Sequence, residues 1–168
     1  MSISIEESGM SFGPFSEDNV FAIESSPLFT NLGKGLKIAE FVLLRDFTNR
    51  PQEAWVVEAK SSAPKEHTDY VDEIRQKFTN SIQLTFASCL KRHRNATELL
   101  PPGFLNLDLE NCPIKCILVV RNFPKAWLDP LQKALIKEMN SLVKTMGLKP
   151  GSVVVINDEM ARGRNLIT

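Results

Sequence analysis

The chain has 168 residues, 43% of them hydrophobic and 24% charged, the composition of a globular domain large enough to bury a core of its own. Its 20 Lys and Arg balance its 20 Asp and Glu, for a formal net charge of zero. That excludes a protein that coats nucleic acid by bulk positive charge and leaves only local basic patches for such a partner.

No run approaches the roughly 18 apolar residues of a membrane span, so no membrane role is expected. The first residues, MSISIEE, carry neither the basic nor the apolar stretch of an export leader. The three cysteines, Cys89, Cys112 and Cys116, are an odd count. Together these give the expectation of a cytoplasmic protein with reduced, buried thiols.

In chain order, Ile3 and Ile5 alternate as in a short edge strand, followed by a loop holding Gly9, Gly13 and Pro14. Residues 20–23 are a short apolar stretch, either a strand or the last turn of a helix. Ser26 and Pro27 predict a short helix, the first as cap and the second at the first helical position, ended by Gly33 or Gly35. Residues 36–44 (LKIAEFVLL) and 54–61 (AWVVEAKS) are predicted strands. The intervening RDFTNRPQE has turn composition, so the pair is a hairpin with a long loop.

From residue 68 to 92, Val71, Ile74, Phe78, Ile82 and Phe86 recur at spacings of three and four. That spacing predicts an amphipathic helix, with Thr68 as its cap. Residues 95–113 form a long connection draped over the fold. Residues 115–120 are a β-branched run, hence a buried strand beside 55–60 with the helix as crossover. Asp129 and Pro130 predict the start of a second helix, with Leu131, Leu135, Met139 and Leu142 on its buried face. Residues 152–156 are the last strand. The expected class is α/β: one domain over residues 1–168, with a mixed central β-sheet flanked by helices.

The residues that point to chemistry lie on the first hairpin. Glu58 and Lys60 sit two apart in an otherwise apolar strand, so their side chains share a face. If the hairpin closes about residue 49, Glu40 stands opposite Glu58, with Cβ atoms roughly 4.5–5.5 Å apart. Two carboxylates so placed in a half-buried sheet need positive charge between them. Lys60 supplies one charge. A divalent cation with oxygen ligands, Mg²⁺ or Mn²⁺, would supply the rest.

The pattern Lys37-Ile-Ala-Glu40, a loop, Trp55-Val-Val-Glu58-Ala-Lys60 and then a helix resembles the core of the PD-(D/E)XK nuclease superfamily. The likeness covers about residues 20–120, with 124–168 as a helix-strand extension. It implies a restriction-endonuclease-like core and a metal-dependent nuclease that hydrolyses DNA phosphodiesters. Glu40 and Glu58 would be its metal ligands, and Lys60 would assist the attacking water. The family's first acid is usually Asp after Pro, where this chain has Glu40 after Ala39. Asp46 is the other acid on that strand, at its loop end. The accessory acid of the first helix falls on Glu24, with Glu17 equally placed. Gln76, on the polar stripe of the long helix, is the other accessory candidate. The segments 5–15 and 57–62 also resemble stretches of bacterial proteins, a likeness that brings no activity with it.

Nucleic-acid contacts, if made, fall to Lys91, Arg92 and Arg94 after the long helix and to Arg162 and Arg164 in the tail. A competing expectation is a catalytically inactive relative: a binding or structural subunit of a larger bacterial complex, with a protein partner or a second copy of itself.

Overall fold

A computed structural model describes residues 1–168. The chain opens with an antiparallel hairpin, β1 (Ser2–Glu7) and β2 (Met10–Ser16). Ser8 and Gly9 turn it with φ of 50° and 73°, the two successive positive values that let a two-residue turn match the strand twist. Only an edge strand and a loop were expected here. The alternation in β2 is broken at Gly13-Pro14, which hides the strand from a period-two pattern.

The main sheet holds five strands side by side in chain order. β3 (Val20–Phe21) pairs antiparallel with β4 (Phe41–Arg45), and β4 with β5 (Glu53–Lys60). Between β3 and β4, Ser26 caps α1 (Pro27–Thr30) by accepting the Leu28 N–H, as the sequence predicts. β4 begins at residue 41, so residues 36–40 of the predicted strand are not strand. The Ala39 N–H donates to the Ser81 hydroxyl, 2.9 Å away, so this segment is tied to a helix although Ile38 and Ala39 are buried.

After β5, α2 (Thr68–Cys89) crosses the sheet. His67, not Thr68, occupies its cap position, and no side chain caps it. The connection 95–113 carries two short helices, α3 (Ala96–Leu99) and α4 (Pro102–Leu105). β6 (Ile114–Val120) then runs parallel to β5, in the interior, as expected. α5 (Lys125–Thr145) leads to β7 (Val153–Asn157), parallel to β6 at the far edge. α5 begins five residues before the predicted Pro130, which lies inside it. Pro130 is exposed and, one turn into the helix, lacks the N–H that would meet the carbonyl four residues before it. α6 (Asp158–Gly163) ends the ordered elements.

Strand parity divides the core. Val42, Leu44, Val56, Leu118 and Val120 face α2 and α5, meeting Ile74, Phe78, Leu131 and Leu135. The intervening Phe41, Leu43, Trp55, Val57, Ile117 and Val119 face the other way, onto Phe12 and Phe15 of the hairpin and Leu166 and Ile167 of the tail. Phe12 bridges to Ile167, and the Thr168 N–H donates to the Ser11 carbonyl at 3.1 Å. The sheet is therefore covered on both faces, which is why β5 and β6 read as nearly continuous apolar runs. No helix is long and apolar enough to cross a membrane. All three cysteines are free thiols. Cys116 is fully buried, and burial pushes its pKa up to about 12.

Candidate functional site

The parity that builds the core also places the polar residues. Ala54 and Val56 face the helices, so Glu58 and Lys60 do too, at the end of β5 where the apolar run stops. Phe41 pairs with Val57, in the expected register, and there the regular ladder ends. The Glu40 N–H donates to the Val57 carbonyl at 3.1 Å, one residue off that register, which keeps Glu40 beside the end of β5, where the charge of Glu58 acts on it.

The helix closes over this end of the sheet. Glu73, Lys77 and Ser81, one turn apart on α2, point down at it. The Ser81 hydroxyl holds the backbone just before Glu40, and Asn80 holds the Lys37 carbonyl at 2.7 Å. Lys77 Nζ lies 2.7 Å from Glu58 Oε1 and 3.9 Å from Glu40 Oε1. Lys60 Nζ lies 3.3 Å from the same Glu58 oxygen and 3.2 Å from Glu73 Oε1. Lys37 pairs more loosely with Glu73 at 3.7 Å.

The Glu58 side chain is 0% exposed. Two ammonium groups compensate its Oε1, yet its Oε2 is buried without any hydrogen-bond partner. Buried polar atoms are nearly always satisfied, so an orphaned carboxylate oxygen marks a place where something binds or a charge is held under strain. Burial raises the Glu58 pKa, opposed by Lys77 and Lys60. For Lys60, burial disfavours the ammonium, but Glu58 and Glu73 outweigh it and hold the proton more tightly than usual. Lys60 is thus a donor, not a base.

Glu40 is the most perturbed acid. Its side chain is 8% exposed, and burial first, then a hydrogen bond with Glu24 and the charge of Glu58, raise its pKa to about 9. Carboxylate oxygens of Glu7, Glu24 and Glu40 lie within 4.8 Å of one another. Glu24 comes from the 3-10 turn Ile23–Ser25 and Glu7 from the end of β1. The charges of Glu24 and Glu7 thus add to those that disfavour a charged Glu40.

The structure thus brings together Glu40, Glu58, Lys60 and Glu24. Glu17 is not among them. Asp46 lies at the other end of β4, where it accepts from Asn19 and Gln52. Gln76 points away and donates to Asp72 at 2.7 Å. Lys91, Arg92 and Arg94 are exposed beyond the C-terminal end of α2, roughly 20 Å of helix past Lys77. Arg162 pairs with Asp158 at 3.2 Å. Arg164 sits where its carbonyl meets Arg45, at the loop end of β4. None of these five basic residues belongs to the site.

Lys77, Glu73, Glu7 and Lys37 are site residues that the sequence reading did not select. The signal for two of them lay on α2: Glu73 and Lys77 each stand one residue before an apolar position, Ile74 and Phe78, on the margin of the buried face. The chain matches no protein-family model, and no curated protein or solved structure is significantly similar to it.

Proposed function

We propose that the chain is a divalent-metal-dependent phosphodiesterase acting on nucleic acid, with a restriction-endonuclease-like core. The observation that carries this reading is Glu58: fully buried, one oxygen without a partner, sharing Lys77 with Glu40 and on the same face as Lys60. The antiparallel run β3–β4–β5, the α2 crossover and the parallel β6 support it, being compatible with the core that the Glu58-Ala-Lys60 resemblance implies.

The donor set suits a hard cation, being all carboxylate oxygen. Glu40 and Glu58 are the residues that would hold Mg²⁺ or Mn²⁺, with Glu24 and Glu7 beside Glu40. Bound there, the ion would neutralise charge on a phosphoryl oxygen and acidify a water. The protein's own groups do the rest. Lys60, fixed by Glu58 and Glu73, donates to an oxygen of the scissile phosphate or the attacking water and stabilises developing negative charge. Lys77 neutralises Glu58 and holds it in place. Glu73 keeps Lys60 from swinging into solvent.

The test pairs thermal melts with a plasmid-nicking assay. Mn²⁺ should raise the Tm of wild type by mass action, and Glu58→Gln should remove that rise. Lys60→Ala should keep the rise and lose nicking. Equal Mn²⁺ shifts in wild type and Glu58→Gln, with nicking unchanged in every variant, would refute the reading.

A second reading, a non-catalytic relative that binds or scaffolds, is favoured by Lys77. Its ammonium already lies within ion-pair reach of both Glu40 and Glu58, neutralising the charge a metal would. Metal-independent stability together with no cleavage of single-stranded, double-stranded or branched DNA would select that reading.

A further inference from the structure

The candidate site carries a cation of its own. Lys77 Nζ stands between two acids, 2.7 Å from Glu58 Oε1 and 3.9 Å from Glu40 Oε1. The Lys77 side chain is only 14% exposed. Burying an ammonium costs free energy, which here only the carboxylates around it offset.

The backbone decides where this side chain can reach. The Ser81 hydroxyl is fully buried. It donates to the Lys77 carbonyl at 2.7 Å and accepts the Ala39 N–H at 2.9 Å. One hydroxyl thus ties the turn of α2 that carries Lys77 to the residue before Glu40, and Lys77 spans a gap of fixed width. It does not use all the negative charge it faces. Glu58 Oε2 is buried and receives no hydrogen bond. Lys60 leaves that oxygen alone as well, because it meets the same Oε1 as Lys77 and is held on its other side by Glu73.

We propose that Lys77 is the resident cation of this site and sets the threshold at which a divalent ion loads. The ion must take Glu40 from Lys77 and bind the Glu58 oxygen that Lys77 leaves unpaired. Lys77 need not leave altogether: it keeps its short contact with Glu58 Oε1 and cedes Glu40, the longer one. Glu73, one turn earlier on α2, already feels the Lys77 charge and can share it, with the acid on the favourable, N-terminal side. Two cations held close together where little water enters repel each other, so each weakens the other's hold. The benefit is a site that keeps its acids neutralised and its shape when metal is scarce. The inference rests on the reading of Glu40 and Glu58 as metal ligands and adds the regulation of that site.

Free Mn²⁺, followed by its paramagnetic resonance signal in titrations without nucleic acid, reads the competition directly. Lys77→Gln removes the charge and keeps a donor, and Lys77→Arg keeps the charge. Arg75→Gln removes a charge from the same helix, where Arg75 pairs with Asp72 and Glu138 outside the site. Lys77→Gln should bind Mn²⁺ at least about tenfold more tightly than wild type, because one unit charge beside a partly buried ion carries that much. Lys77→Arg and Arg75→Gln should stay within about twofold of wild type. Melting covers the case in which Lys77→Gln is too unstable to titrate: Mn²⁺ should then raise its Tm, or restore its folding, by more than it raises the Tm of wild type. Mn²⁺ affinity in Lys77→Gln equal to or below that of wild type, or an unfolded Lys77→Gln that Mn²⁺ does not rescue, would overturn the proposal. The two readings fail separately. Tighter Mn²⁺ binding in Lys77→Gln with no nicking by any variant keeps the role of Lys77 and removes the nuclease. Mn²⁺-dependent nicking with equal Mn²⁺ affinity in wild type and Lys77→Gln does the opposite.

Discussion

Replacing Glu40 by Gln isolates the most strained charge in the molecule. In the folded protein its pKa is about 9, against the ordinary value of 4.5, chiefly through burial and then through Glu24 and Glu58. The folded state therefore keeps a proton that the unfolded chain gives up. Below pH 4.5 both states are protonated, and the full stability is present. From there to about pH 9 the unfolded state is favoured by about 1.4 kcal/mol per pH unit for this one group. Taken whole, the shift would cost roughly 4 kcal/mol at pH 7.5. Solvent reaching the rim of the carboxyl cluster screens it, and about 2 kcal/mol is the expected remainder.

Gln keeps the shape and can still donate to Glu24, but has no proton to lose. Glu40→Gln should therefore be about 2 kcal/mol more stable than wild type at pH 7.5, equivalent to a Tm higher by roughly 4–8 °C. At pH 4 the two should coincide. The assay is urea or thermal unfolding in EDTA at several pH values. A variant that is destabilised equally at pH 4 and pH 7.5 would refute the reasoning, because it would make Glu40 a packing residue, not a strained acid.

Lys77→Met removes the 2.7 Å partner of a fully buried carboxylate and should cost about 3 kcal/mol in urea unfolding at pH 8. The cost should shrink as the pH is lowered, because burial raises the Glu58 pKa and removing Lys77 removes a group that opposes that rise, and the double variant with Glu58→Gln should recover most of it. Gly9→Ala places a Cβ against the Arg121 guanidinium at a φ of 73°, so it should lower stability by about 1–2 kcal/mol without touching the sheet register. In the native protein, Cys116, fully buried with its thiol pKa pushed up to about 12, should not react with an aromatic disulfide reagent until urea unfolds the chain.

Much of the hairpin was legible because two independent signals agreed. The apolar parity of AWVVEAK fixed which residues share a face, and the turn-rich loop fixed the centre of the register. Glu40, Glu58 and Lys60 follow from those two facts alone. The long helix was equally plain from Val71, Ile74, Phe78 and Ile82. Lys77 was not, because its role depends on how high and at what angle α2 lies over β5, a tertiary quantity with no local signature. The start of α5 was misplaced because Asp129-Pro130 carries every local mark of a helix start. Packing of Trp127 against Phe123 and of Leu128 against the core extends the helix back past it. Glu7 was invisible for a related reason: its partners come from residues 24 and 40, and only docking of the hairpin brings it there.

That docking couples the acidic cluster to the far side of the sheet. Residues 11–13 of the hairpin are held by residues 166–168, and together they cover the face formed by Phe41, Leu43, Trp55 and Val57. The strand that carries Glu7 to Glu24 and Glu40 is therefore anchored by a contact with no acid in it. A change confined to residues 166–168 should loosen the hairpin and spread the three carboxylates while leaving the register of the five-stranded sheet in place.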